Sequence, residues 1–65
     1  MIFIVNVKYA GEEKARRVCV TRSGESADRR ATIEAVRGDV EAVNVYHYDG
    51  REREILVYKR RGTAS

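Results

Sequence analysis

Proline and tryptophan are missing from this chain of 65 residues, and cysteine, histidine, methionine and phenylalanine each occur once. One cysteine excludes an intrachain disulfide, and a single histidine beside a single cysteine gives no zinc-type ligand spacing. Long apolar runs are also missing. The opening "MIFIVNVKY" is interrupted at Asn6 and Lys8 and has no basic leader, so it reads as neither a signal peptide nor a membrane span. No glycine-rich phosphate loop is present, because "SGES" lacks the length and the lysine of a P-loop. A lone thiol suits a reducing compartment, and the expected location is the cytoplasm.

What the chain does have is charge and β-branched residues. Thirteen basic residues stand against ten acidic ones, for a formal net charge of +3 and a pI near 9.4. That balance suits phosphate or an acidic protein surface without demanding either. Hydrophobic residues make up 43%, enough for a packed core. At this length the whole of 1–65 is one domain, with an expected stability of roughly 3–10 kcal/mol and little room for a buried catalytic cleft.

Four segments alternate as strands do: Ile2 to Tyr9, Arg16 to Arg22, Val40 to Tyr48 and Arg53 to Arg60. Between the second and third, "SGESADRRATIEAVRGD" changes to a helical period. Ser26 reads as its N-cap, with Asp28 in the first turn and Gly38 as its terminator. Thr32, Ile33, Ala35 and Val36 share one arc, Ala27 and Ala31 border it, and Arg30, Glu34 and Arg37 lie opposite. "YDG" suits a three-residue hairpin loop at Tyr48-Asp49-Gly50, which brings Val43 near Ile55. The tail from about 61 to 65 reads as frayed.

The expected class is α+β, in the order ββαββ: a four-stranded, mostly antiparallel sheet with one helix packed on one face. Strand order is open, and the first and third strands could even lie side by side in parallel. The sheet side of the core is expected to be Phe3, Val5, Val7, Val18, Val20, Val43, Val45, Ile55 and Val57. The other face would carry Ile2, Ile4, Cys19, Ala42, Tyr46, Leu56 and Tyr58 among Asn6, Lys8, Arg17, Thr21, Asn44 and Glu54. Such an uncovered apolar and aromatic face marks an interaction surface.

Candidate contact residues are therefore Tyr46, Tyr58 and Leu56, with Arg17 and Lys8 as basic neighbours and Lys59, Arg60 and Arg61 as a basic end. His47 falls opposite the two tyrosines that flank it, near the rim where the helix ends. It has no nucleophile and orienting acid beside it in the sequence, and reads as strand surface. No catalytic residue, cofactor or metal is expected. Cys19 reads as a small apolar strand residue.

In its economy, its Ala-rich helix "SADRRATIEAVRG" and its hairpin "VEAVNVYHYDG", the chain resembles small phage-encoded α/β proteins, including several anti-CRISPR proteins. That resemblance implies a non-enzymatic inhibitor or adaptor that binds a protein or nucleoprotein partner in the host cytoplasm. The alternative is a basic nucleic-acid-binding module. A homodimer through the open face or an edge strand is compatible with both, and no membrane partner is expected.

Overall fold

The computed structural model describes residues 1–64. The elements follow the expected order: β1 (Ile2–Tyr9), β2 (Arg16–Thr21), α1 (Gly24–Ala35), β3 (Val40–Tyr48) and β4 (Glu54–Arg61). They form one sheet in the order β2-β1-β3-β4 with every neighbouring pair antiparallel. β1 and β3 are thus the central strands, side by side but antiparallel. The connection through α1 crosses over β1 and lays the helix on one face.

The helix starts earlier than the sequence suggests. Ser23 is the N-cap, in extended geometry (φ −104°, ψ 119°), and its side chain accepts from the Ser26 amide at 3.1 Å. A serine oxygen three residues upstream satisfies an amide that has no partner inside the helix, so Ser26 is the receiver of the cap and not the cap. The helix ends at Ala35, short of Gly38.

The buried face also differs from the expected one. Ala27, Ala31 and Ala35, spaced one turn apart, are buried against Val5, Val7, Val40, Val43 and Val45. Ile33 and Val36 point to solvent instead, at 48% and 71% exposure. Glu34, expected opposite the core, is 1% exposed. It is held by Arg30 Nε at 2.8 Å, with Arg37 Nε 3.2 Å away. A buried carboxylate flanked by two guanidinium groups is tolerable where a lone one would not be. Its hydrogen bond is also the main reason that the Arg30 guanidinium is held above its ordinary range.

Three bulges set which side chains face the helix. In β2, Val5 pairs with Cys19 but Asn6 pairs with Arg17, leaving Val18 extra. In β3, Glu41 is extra between the pairs Lys8–Ala42 and Tyr9–Val40. In β4, Tyr46 pairs with Leu56 but Val45 pairs with Tyr58, leaving Val57 extra. A bulge breaks strict alternation. Val18 and Cys19 consequently both reach the core, while Val20, expected inside, stands opposite Ile4 on the other face and is 57% exposed. Thr21 lies beside Phe3, on the helix side.

The β3–β4 turn also moves. Its tip is Gly50-Arg51-Glu52, closed by the Asp49 amide donating to the Arg53 carbonyl at 3.1 Å. Gly50 and Glu52 have positive φ, +80° and +64°. Asp49 directs this geometry, since its carboxylate accepts from the Arg51 and Arg53 amides and from Arg53 Nε. Those bonds, the Arg51 amide first, hold the carboxyl below its usual range. The loop lies two residues later than expected at Tyr48-Asp49-Gly50. Val43 therefore meets Arg60, and Ile55 meets His47.

Residues 62–64 of the tail hydrogen-bond to the rest of the fold; Ser65 is outside the described residues. The Gly62 amide donates to Glu41, the Thr63 amide to Ala35 at 3.2 Å, and the Ala64 amide to Val40 at 2.8 Å. The Thr63 hydroxyl donates to the Arg37 carbonyl. The two Thr63 donors satisfy carbonyls at and just past the end of α1 that the helix cannot satisfy itself, and the Gly62 and Ala64 amides bond to the start of β3. Gly62 is needed for this closeness, since a methyl there would lie 2.7 Å from the Val40 carbonyl carbon.

Gly62→Ala is therefore expected to lower unfolding free energy by about 1–3 kcal/mol through overpacking. Gly38→Ala, which meets nothing within 4 Å, should stay within about 0.5 kcal/mol of wild type. Paired urea titrations check the contrast.

Candidate interaction face

The sheet has one face under the helix and one with no element over it. On the uncovered face, side chains line up in rows across the strands. One row runs Val20, Ile4, Tyr46, Leu56; the next runs Arg17, Asn6, Asn44, Lys59. Beyond these, Lys8, Ala42 and Arg61 form a third row, and Ile2, Tyr48 and Glu54 a fourth on the opposite side. The face is thus divided into an apolar, aromatic half and a polar, basic half.

Parts of this face are nearly dry. Ile4 is 5% exposed and Ala42 8%. Arg17 on one edge strand reaches Glu54 on the other at 2.8 Å, although the two edges of a flat four-stranded sheet stand about 14 Å apart. The ion pair spans the two central strands and shields what lies beneath. Its partners are 54% and 39% exposed, so its own contribution to stability is small, about 0–1 kcal/mol.

Of the candidate contact residues, six belong to this face: Tyr46, Leu56, Arg17, Lys8, Lys59 and Arg61. Tyr46 and Leu56 are direct cross-strand partners. Lys8 is bound to Glu41 at 3.0 Å and Arg17 to Glu54. Lys59 and Arg61, two residues apart on β4, are exposed and have no acidic partner within 4 Å among the described residues. An open depression lies between them, bounded also by Ala42 and Glu41.

Two candidates lie on the other side. Tyr58, paired with Val45, packs against the core, and its hydroxyl donates to Asp28 of the helix at 2.6 Å. Arg60 reaches the same carboxylate at 3.5 Å and lies over the Tyr58 ring, 5.8 Å from its centre. The bulge at Val57 accounts for both, since it inverts the alternation beyond it. Desolvation, and then the Asp28 contact, push the Tyr58 hydroxyl above its usual range. This cluster clamps β4 to the helix. It is not available to a partner on the open face.

His47 also faces the helix side. It sits beside Phe3, with ring centres 5.6 Å apart, and Phe3 in turn approaches Gly24, near the start of the helix. Cys19 is half-buried against the core. Among the described residues no group of three or more His, Cys, Asp or Glu side chains is placed to hold a metal ion.

Asn6 and Asn44 are the residues the sequence reading placed on this face without singling out. They are direct partners on the two central strands. The carbonyl oxygen of each side chain is buried and accepts no hydrogen bond from the protein. Asparagine is disfavoured in mid-strand, so its presence in both "IVNVK" and "AVNVY" was the available signal.

Tyr58→Phe is expected to lower stability by about 0.5–1 kcal/mol, modest because the Asp28 pair is partly exposed. The folded chain keeps this hydroxyl protonated at pH values, above about 10, where the unfolded chain ionises it. Stability therefore falls as pH climbs through that range, and Tyr58→Phe should flatten that part of the slope. Thermal melts across alkaline pH measure both effects.

Comparison with known proteins returns no matching family model, no matching curated protein and no matching solved structure.

Proposed function

We propose that this chain is a small non-enzymatic binding protein that docks on a protein or nucleoprotein partner through its open sheet face, as an inhibitor or adaptor of the kind encoded by phages and mobile elements. The observation that supports this most is the division of that face into an apolar row ending in Tyr46 and Leu56, and a polar half in which Lys59 and Arg61 have no acidic partner within 4 Å among the described residues. Interfaces draw their energy from a few aromatic and basic anchors with water excluded around them. Val20 and Leu56 are each more than half exposed, and their burial by a partner would add to the hydrophobic gain. Among the described residues no helix is long and apolar enough to cross a membrane.

A nucleic-acid partner is the second reading, favoured by the basic run Lys59-Arg60-Arg61. Arg60 is engaged with Asp28, which leaves two of the three cations for phosphate. The dependence of log affinity on log salt should then drop by only about 2 units when Lys59 and Arg61 are both neutralised, at roughly 0.9 per duplex contact.

The test is capture of partners by the tagged chain with and without nuclease, comparing wild type with two neighbouring variants. Tyr46→Ala should cost about 1–3 kcal/mol of binding and little stability. Val45→Ala, 2% exposed on the helix side, should lose about 2 kcal/mol of stability and none of the affinity, once corrected for the folded fraction. Nuclease-resistant partners that Tyr46→Ala releases support the reading. Partners held equally by Tyr46→Ala overturn it, and partners lost to nuclease point to nucleic acid.

A further inference from the structure

The charges on the open face are not equivalent. Arg17 is neutralised by Glu54 and Lys8 by Glu41, both within 3.0 Å. What is left for a partner is one local excess, Lys59 and Arg61, on adjacent open-face positions of β4 about 7 Å apart. Between and beside them lies the depression whose other boundaries are Ala42 and Glu41. The next residue along the open face of β3 is Asn44, opposite Lys59, with its buried and unpartnered carbonyl oxygen, and Asn6 lies beyond it.

These groups ask for different things. Two cations close together suit a carboxylate, which accepts from both. The apolar row beside them requires an apolar side chain. Two free cations are a small footprint for a polyanion whose binding scales with the number of phosphates neutralised. Glu54 and Glu41 on the same face oppose a continuous phosphate backbone further. A polypeptide supplies both groups: acidic side chains and an apolar anchor.

We propose that the Lys59–Arg61 depression is a subsite for an Asp or Glu side chain of a protein partner. The inference rests on the open face being the docking surface, and it specifies the partner as a protein with an acidic segment beside an apolar one.

The experiment is an amide-resolved NMR titration of the full chain with three short probes: an end-blocked peptide of glutamate and leucine, the same peptide with glutamine for glutamate, and an oligouridylate. End-blocking leaves only side-chain carboxylates. The glutamate peptide is expected to shift the amides of Ala42, Asn44, Lys59 and Arg61. The glutamine peptide should bind about tenfold more weakly, as should the glutamate peptide to the double variant Lys59→Gln, Arg61→Gln; tenfold corresponds to about 1.4 kcal/mol. Arg29→Gln, at an exposed cation on the helix, should change nothing. Equal binding of both peptides through Tyr46 and Leu56 would overturn the carboxylate subsite and leave the open face standing. Tighter binding of the oligouridylate at the same amides would overturn it in favour of phosphate. If no probe shifts the open face, subsite and docking surface fall together.

Discussion

Everything in this fold depends on how closely one helix can approach one sheet. The stripe Ala27, Ala31, Ala35 presents almost no side chain, so the helix backbone settles directly over Val5, Val7, Val43 and Val45. Such a contact is well packed but narrow. It covers the central strands and leaves the edges dependent on other ties. Those ties are polar: Tyr58 and Arg60 to Asp28 on the β4 side, and the Ser23 cap with Thr21 beneath it on the β2 side. The tail adds a third, since Thr63 and Ala64 bring donors to the far end of the helix and the start of β3.

The edges carry a second constraint. A strand with free N–H and C=O groups invites pairing with another chain, and bulges and charged residues discourage it. Both edge strands here are bulged, at Val18 in β2 and Val57 in β4, and both carry consecutive basic residues. The same bulges decide the two faces. Each moves a residue across the sheet: Val20 outward, Cys19 inward, Tyr58 and Arg60 toward the helix. Edge geometry and surface chemistry therefore have a common cause.

A helix on one side of a four-stranded sheet leaves the other side without cover. This chain reduces the exposure there in part by itself, with the Arg17–Glu54 bridge over a face in which Ile4 and Ala42 are already buried. Apart from Val20 at the β2 edge, what it does not neutralise or cover lies toward β3 and β4: Tyr46 and Leu56 on one row, Lys59 on the next, Arg61 beyond. Because the acidic residues Glu41 and Glu54 are committed to Lys8 and Arg17, the remaining basic charge is local and not spread along the sheet. That distinction separates recognition of a carboxylate from recognition of a nucleic-acid backbone.

The sequence alone determined the order of elements and the faces of the central strands. Alternation in "FIVNVKY" and "AVNVYHY" is long enough that Phe3, Val5, Val7, Val43 and Val45 could fall on only one side, and Tyr46, Asn6 and Lys8 on the other. It also showed that one helix would leave one face open. Alternation fails where a single extra residue inverts it, and no composition marks Val18 or Val57 as that residue. The positions of Val20, Tyr58 and Arg60 were therefore settled only by tertiary pairing. The turn was misplaced for a related reason: Asp49-Gly50 is a turn signal at either of two registers, and the carboxylate's bonds to Arg51 and Arg53 select the later one. Ser26 and Ser23 are equally good caps in sequence, and it is the seating of the Ala27-Ala31-Ala35 stripe on the sheet that places Glu34 inward and Ile33 outward. The docking of Gly62 to Ala64 depends on carbonyls that become available only once helix and sheet have met, and no local pattern in the chain could announce it.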